Sequence, residues 1–288
     1  MGTRPSATAP NMAVWEDAGC SFVRFDLVHG VHVEVDKIFH DSIVLLSFER
    51  CRWSSYSSGV HRKEAPGSVV VRDAGQVFSL KSEGVDVAGG VCREIHIPIA
   101  RMAEIYGAHD NPLPPLDFSN PLIESANLAN ILFKAHHLFE QKECELEAST
   151  QLAKLFEAVA SATSGKGLDR TFKTCSKRNA AVVDYLRENF HKPISLQQLA
   201  AVVEMNPFVL IRQFQKEFGI SPHEYLQIHR VNQAKHHIRL GERLAQVAQL
   251  CGYADQSHLT RQFKRRTGLT PGNFLDPRRL VADADCPS

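Results

Sequence analysis

Arginine and glutamine stand side by side at Arg212-Gln213 and again at Arg261-Gln262, 49 residues apart, each inside a longer repeat. The first copy runs from Asn206 to Tyr225 and the second from Asp255 to Phe274. Leu210/Leu259, Phe214/Phe263, Gly219/Gly268 and Pro222/Pro271 are identical between them. An arginine fork can pair with guanine O6 and N7 in a major groove, and a glutamine amide with adenine. Lysine, serine and exposed helix N–H groups can hold phosphates. The side chains placed to do this are Phe208, Ile211, Arg212, Gln215 and Lys216 in copy one. In copy two they are Gln256, Ser257, His258, Thr260, Arg261, Lys264 and Arg265.

Each copy parses as helix, tight turn, helix. Ser195 with Gln198 forms a capping box, and Leu196, Leu199, Ala200 and Val203 follow at helical spacing. Asn206-Pro207 supplies an N-cap and a proline at the first helical position; Leu210, Phe214 and Phe218 then lie four apart, and Gly219 can end the helix. Leu244, Val247, Ala248 and Cys251 repeat the first helix, Gly252-Tyr-Ala the turn, and Asp255 the N-cap. Small residues at Ala200 and Ala248 let the paired helices approach closely. The spacing places helix-turn-helix units at 195–219 and 243–268, with a helix at 221–240 between them. Twenty residues span roughly 30 Å, against about 34 Å for one turn of B-DNA. Such a rod can set two probe helices into successive major grooves of double-stranded DNA.

Charge agrees with this. The chain's formal net charge is +1, but residues 170–280 hold 18 Lys+Arg against 8 Asp+Glu, while residues 1–169 hold 15 against 22. A basic third on an acidic body suits a polyanion-binding module attached to something else. Composition is otherwise ordinary, at 43% hydrophobic and 23% charged, and no apolar run reaches a membrane span. Seven scattered cysteines, an odd number without a C-x-x-C pair, suggest reduced thiols in a cytoplasm. Residues 1–12 read as a loose N-terminal tail, 164–177 as a linker and 281–288 as a second tail.

The run Leu-x-x-Leu-Ala at 196–200, the segment Leu210 to Pro222, and above all Gly252 to Pro271 resemble the signature of the AraC/XylS family of transcription regulators. The resemblance covers roughly residues 178–276 and implies a DNA-binding domain at 178–280. It implies an α+β two-domain protein, with an N-terminal cupin-like β-barrel and helical dimerisation region followed by an all-α domain of two helix-turn-helix motifs. By that resemblance Phe208, Ile211, Arg212, Ser257, His258, Thr260 and Arg261 sit where family members touch bases. Asn206, Lys216, Gln256, Lys264 and Arg265 are assigned to phosphates. Ile211 stands where a polar residue is frequent; it contacts a thymine methyl, or the first unit reads DNA weakly. RNA polymerase, a small-molecule effector and a second copy of the chain are the further partners implied.

Residues 13–163 carry that N-terminal domain. Residues 20–105 read as β-structure, with strand-like runs at Val31–Val35, Ile43–Phe48, Ser68–Val71, Val77–Leu80 and Cys92–Ile99. The segment His61 to Gly75 resembles the family's Pro-Gly strand-turn, without the histidine usual after the second turn. Trp53, Tyr56, His61, Arg72 and Phe78 are the candidate effector-pocket residues. His29, His32, His40, His61 and His96 show no H-x-H…E spacing, so no metal, cofactor or catalytic residue is expected. Residues 121–163 predict a helix pair, either packed on the barrel or presenting a stripe to a second copy. Two rivals to an effector-controlled activator remain: a cupin-type enzyme with a DNA-binding appendage, and a regulator without effector.

Overall fold

The computed structural model describes residues 11–57, 59–107, 118, 121–142, 144–163 and 176–275. Residues 1–10 and 276–288, and residues 164–175 of the linker expected at 164–177, lie outside them; Ser176 and Lys177, the end of that expected linker, already open the next helix. The chain runs β1 (Asn11–Asp17), β2 (Cys20–Leu27), β3 (Glu34–Ile38), β4 (Ile43–Glu49), β5 (Cys51–Ser57), β6 (Val60–Glu64), β7 (Ser68–Arg72), β8 (Phe78–Val85) and β9 (Gly90–Ile97). Helix α1 (Ile99–Gly107) and β10 (Leu122–Glu124) lead to α2 (Ala126–Gln141) and α3 (Glu145–Thr163). The second domain is α4 (Lys177–Glu188), α5 (Leu196–Val202), α6 (Pro207–Phe218), α7 (Pro222–Arg239), α8 (Leu244–Leu250), α9 (Gln256–Thr267) and α10 (Pro271–Leu275).

The strands form two antiparallel sheets, ordered β1-β2-β9-β4-β7-β10 and β3-β8-β5-β6. Among the described residues the sheets are not joined by a hydrogen-bonded ladder, so the expected barrel is a two-sheet stack whose closure is not shown. Strand β4 is buried on both faces, which its run Ile43-Val-Leu-Leu demands. Leu45, Ile95 and Ile97 pack outward under Leu132, Leu155 and Phe156 of α2 and α3. Val44, Leu46 and Phe48 face the other way, toward Cys51 and Trp53 of the second sheet. The helix pair therefore lies on the sheet, and Leu146 is its one large exposed apolar residue among the described ones. Strand β1 begins at Asn11 with Met12 buried, within what reads in sequence as tail. Strands β1, β2, β5 and β6 and helices α1, α4 and α10 were not individually legible, and the tract expected to be helical from 121 opens instead with strand β10, its first helix starting at Ala126. The described cysteines Cys20, Cys51, Cys92, Cys144 and Cys251 are free, and among the described residues no helix is long and apolar enough to cross a membrane.

His136 of α2 is fully buried against the sheet. Its Nε2–H donates to the Val23 carbonyl at 3.0 Å, leaving Nδ1 to accept from the Arg93 guanidinium at 3.0 Å. Burial first, and Arg93 second, push its pKa down to about 4. The unfolded chain protonates this imidazole near its ordinary 6.5 while the folded chain does not. Stability is therefore lost as pH falls from about 6.5 towards 4, by about 3 kcal/mol. Denaturant midpoints at pH 7, 5 and 4 should show that loss in the wild type and a flatter profile in His136→Gln. Parallel profiles would mean that the ring is charged in the fold.

Candidate nucleic-acid interface and interdomain cavity

Local chemistry builds both helix-turn-helix units. Ser195 and Gln198 cap each other at the start of α5, and Ser221 and Glu224 do the same for α7. Asn206 and Asp255 accept from Phe208 N–H and His258 N–H at 2.9 and 2.7 Å. Each such cap stabilises its helix by about 1 kcal/mol. Gly219 and Gly268 close α6 and α9 in left-handed conformations, with φ of 76° and 75°. Leu210 and Phe214 are fully buried beneath α6, and Leu259 and Phe263 beneath α9. The opposite faces stand out. Phe208 is 73% exposed, and Arg212, Lys216, Gln256, Ser257, Arg261, Lys264 and Arg265 are exposed.

Three of the expected contact residues are half-buried. Ile211 flanks the α6 stripe; the Thr260 hydroxyl donates to the Gln256 carbonyl at 2.9 Å; and the His258 ring rests edge-on against Tyr253 at 5.2 Å. Asn206 commits its Oδ1 to the cap. Arg266, by contrast, points away from the basic face and donates to the Lys37 carbonyl at 3.0 Å.

Helix α7 has 18 residues, a rod of about 27 Å. Its stripe of Tyr225, Ile228, Val231, Ala234 and Ile238 is buried, and so are Gln227, His229 and Arg230. Arg230 donates to the carbonyls of Phe190 and Lys192 at 2.7 and 2.9 Å. Gly252, in the turn of the second unit, presses on the same loop: a Cβ there would sit 2.8 Å from the His191 carbonyl. The two units are thus held on one rod rather than strung on a flexible tether.

The β-domain grips this rod. A bulge between Val35 and Ile38 turns the chain through Lys37, whose φ is 48°. Phe39 then stacks on Tyr225 at 4.7 Å within the core of the first unit. Asn232 of α7 donates to the Phe39 carbonyl and to Asp41, each at 3.2 Å. Met12 and Val23 join the core of the second unit. Sequence spacing gave no sign of these long-range contacts.

Between the sheets and α7 lies a cavity of about 560 Å³, the size of a small-molecule site. Phe25, Leu46, Phe48, Trp53 and Leu80 supply apolar wall, and Lys235 and Arg239 reach it from α7. Lys235 makes no hydrogen bond or ion pair with a described residue; burial first, then Arg239, push its pKa down to about 8. On the opposite wall His40, Glu94 and His96 converge. Burial alone would raise Glu94, but the His96 hydrogen bond and the charges of His96, Arg72 and Lys235 together hold it below its ordinary range. Burial keeps His40 well below the usual histidine range.

Of the five expected pocket residues, Trp53 and Arg72 line the cavity, Arg72 paired to Glu64 at 2.9 Å. Phe78 lies under the Arg72 guanidinium at 4.2 Å, behind the wall. Tyr56 and His61 need correcting. Strand β5 turns Cys51, Trp53, Ser55 and Ser57 inward, so Tyr56 faces out and its ring lies tilted against His61 at 4.6 Å, outside the cavity. Lys235 and Glu94 were missed in sequence, as was the convergence on His40 and His96, because these groups come from three separate elements.

Residues 199–276 match the helix-turn-helix domain family HTH_18. This segment is a DNA-binding domain of the AraC/XylS type. Relatives of the AraC/XylS-type domain include a probable transcriptional regulator, LumQ, of Photobacterium leiognathi, 32% identical over 35% of this chain and 42% of LumQ. Another is the bifunctional transcriptional activator/DNA repair enzyme AdaA of Bacillus subtilis, 32% identical over 34% of this chain and 47% of AdaA. The chain thus spans less than half the length of these relatives. Across both domains the fold is similar to that of ToxT from Vibrio cholerae, solved with an unsaturated fatty acid bound. The TM-score is 0.64 at 14% identity, over 90% of this chain and 95% of ToxT. At that identity the likeness concerns fold alone.

Proposed function

We propose that this chain is a sequence-specific, non-enzymatic transcription regulator, an activator, that sets α6 and α9 into successive major grooves of duplex DNA. The observation carrying this reading is that both probe helices bury one stripe and present Arg212 and Arg261 outward, joined by one capped rod. The base contacts assigned are Phe208, Ile211, Arg212, Ser257, His258, Thr260 and Arg261, with Asn206, Lys216, Gln256, Lys264 and Arg265 on phosphates. RNA polymerase is the protein partner that the family resemblance implies, and a cytoplasmic location follows from the role. Arg261→Ala should lower affinity for a selected duplex by about 1–3 kcal/mol and relax preference at one base pair. Equal loss on random DNA would reassign Arg261 to the phosphate backbone.

The same reading places a small effector in the interdomain cavity. An apolar wall facing a half-buried ammonium without a hydrogen-bond partner among the described residues suits an apolar carboxylic acid, the class that ToxT was solved with. A carboxylate held there bridges the β-domain to the rod and so controls how the probe helices are presented. A charged hydrogen bond contributes about 1.5–3 kcal/mol, so Lys235→Met should weaken binding of an unsaturated fatty acid by about 10- to 100-fold. With the Lys235 pKa near 8, affinity should fall as pH rises through and beyond 8, when the ammonium loses its proton. Titration followed by fluorescence of Trp53 reads both effects; unchanged affinity in Lys235→Met would remove Lys235 from the site.

A further inference from the structure

We propose that His40, Glu94 and His96 form a site for one late-transition divalent ion of the zinc or cobalt class, set in the sheet wall of the cavity. This inference needs neither the DNA reading nor the acid. Their ligand atoms lie within 4.8 Å of one another. Around a tetrahedral ion with bonds of about 2.0–2.1 Å, ligand atoms stand about 3.3 Å apart. One edge is already near this: His96 Nε2 lies 2.8 Å from Glu94 Oε2, a hydrogen bond that opens by about 0.5 Å to admit the ion. The others close by at most about 1.5 Å, within reach of rotation of the His40 ring on the connection between β3 and β4. The His40 and His96 rings are 4.7 Å apart at 86°, an arrangement that lets both aim a nitrogen at one point.

The surroundings prepare the site. His96 Nδ1 lies 3.3 Å from the Ser42 hydroxyl, which can accept or donate. Without an ion, the Nε2 proton is shared with Glu94 and Ser42 donates to Nδ1. On binding, the proton moves to Nδ1 and is held by Ser42, leaving the Nε2 lone pair for the metal. A hydrogen-bonding group on the far nitrogen is what orients metal-bound histidines. The His40 backbone is pinned as well, its carbonyl accepting from Gly75 N–H at 2.8 Å. Two imidazoles and one carboxylate leave the fourth position open to the cavity, where Lys235 and Arg239 favour an anionic ligand there and oppose a bare cation. Because His40 sits between Phe39 and Asp41, which touch the DNA-binding domain, the ion ties β9 to the segment on which that domain docks.

The test is titration of chelator-treated full-length protein with Co²⁺, followed by its visible ligand-field bands and by calorimetry. One equivalent should bind with tetrahedral bands. Binding should vanish in His40→Ala and His96→Ala and persist in His29→Ala. Ser42→Ala keeps all three ligands and should weaken binding by about 10- to 100-fold, which covers the case in which a ligand variant fails to fold. Lys235→Met should tighten Co²⁺ binding while it loosens the fatty acid, so the two cavity readings fail separately. Wild-type binding no tighter than that of His96→Ala, unchanged affinity in Ser42→Ala, or intense thiolate-to-cobalt absorption from Cys92 would overturn the assignment.

Discussion

Phe263→Ala is expected to melt the second helix-turn-helix unit and to cost the DNA-binding domain about 3–5 kcal/mol. Phe263 is fully buried, meets Phe274 edge-on at 5.2 Å, and sits among Val231, Ile238, Val247, Ala248 and Leu259. Helices α8 and α9 have only 7 and 12 residues. Helices that short are marginal alone, so their order comes from this packing. Removing the ring leaves a void that neither the capped ends of α9 nor the rod behind it can collapse to fill. Chemical denaturation and hydrogen exchange over residues 244–275 should report the loss together with reduced affinity for duplex DNA. A cost below about 1 kcal/mol would mean that the second unit does not rest on this core.

The two probe helices were legible because everything defining them is local. Asn206, Asp255, Gly219 and Gly268 mark ends within a residue, and Leu210/Phe214 and Leu259/Phe263 mark buried faces at helical spacing. The rod was legible too, although its apolar stripe does not reveal that His229 and Arg230 are buried beside it. The interdomain grip was not legible, since Phe39 on Tyr225 and Arg266 on Lys37 join residues far apart in sequence. Strand β5 hid behind polar inward residues, Ser55 and Ser57, of which Ser55 is satisfied by Glu64 at 2.5 Å. The cavity stayed invisible for the same reason. Lys235 looks like one more helix lysine until the sheets are placed against it, and Tyr56 looks like a pocket aromatic until the parity of its strand is known.

In the proposed mode of DNA recognition, a rod of one fixed length holds two probe helices one duplex turn apart. Its most direct test uses duplexes selected from a random pool by the full chain, with about 5 base pairs then inserted between the two half-sites. That insertion turns one half-site to the far side of a helix repeating every 10–10.5 base pairs. Each base pair misread costs about 1–3 kcal/mol, so losing a half-site should weaken binding at least about 100-fold. A full-turn insertion of about 10 base pairs should not restore it, because α7 is capped, buried along its middle and pinned through Arg230 and Gly252. Binding that survives either insertion would contradict the rigid rod, and with it the proposed mode of DNA recognition.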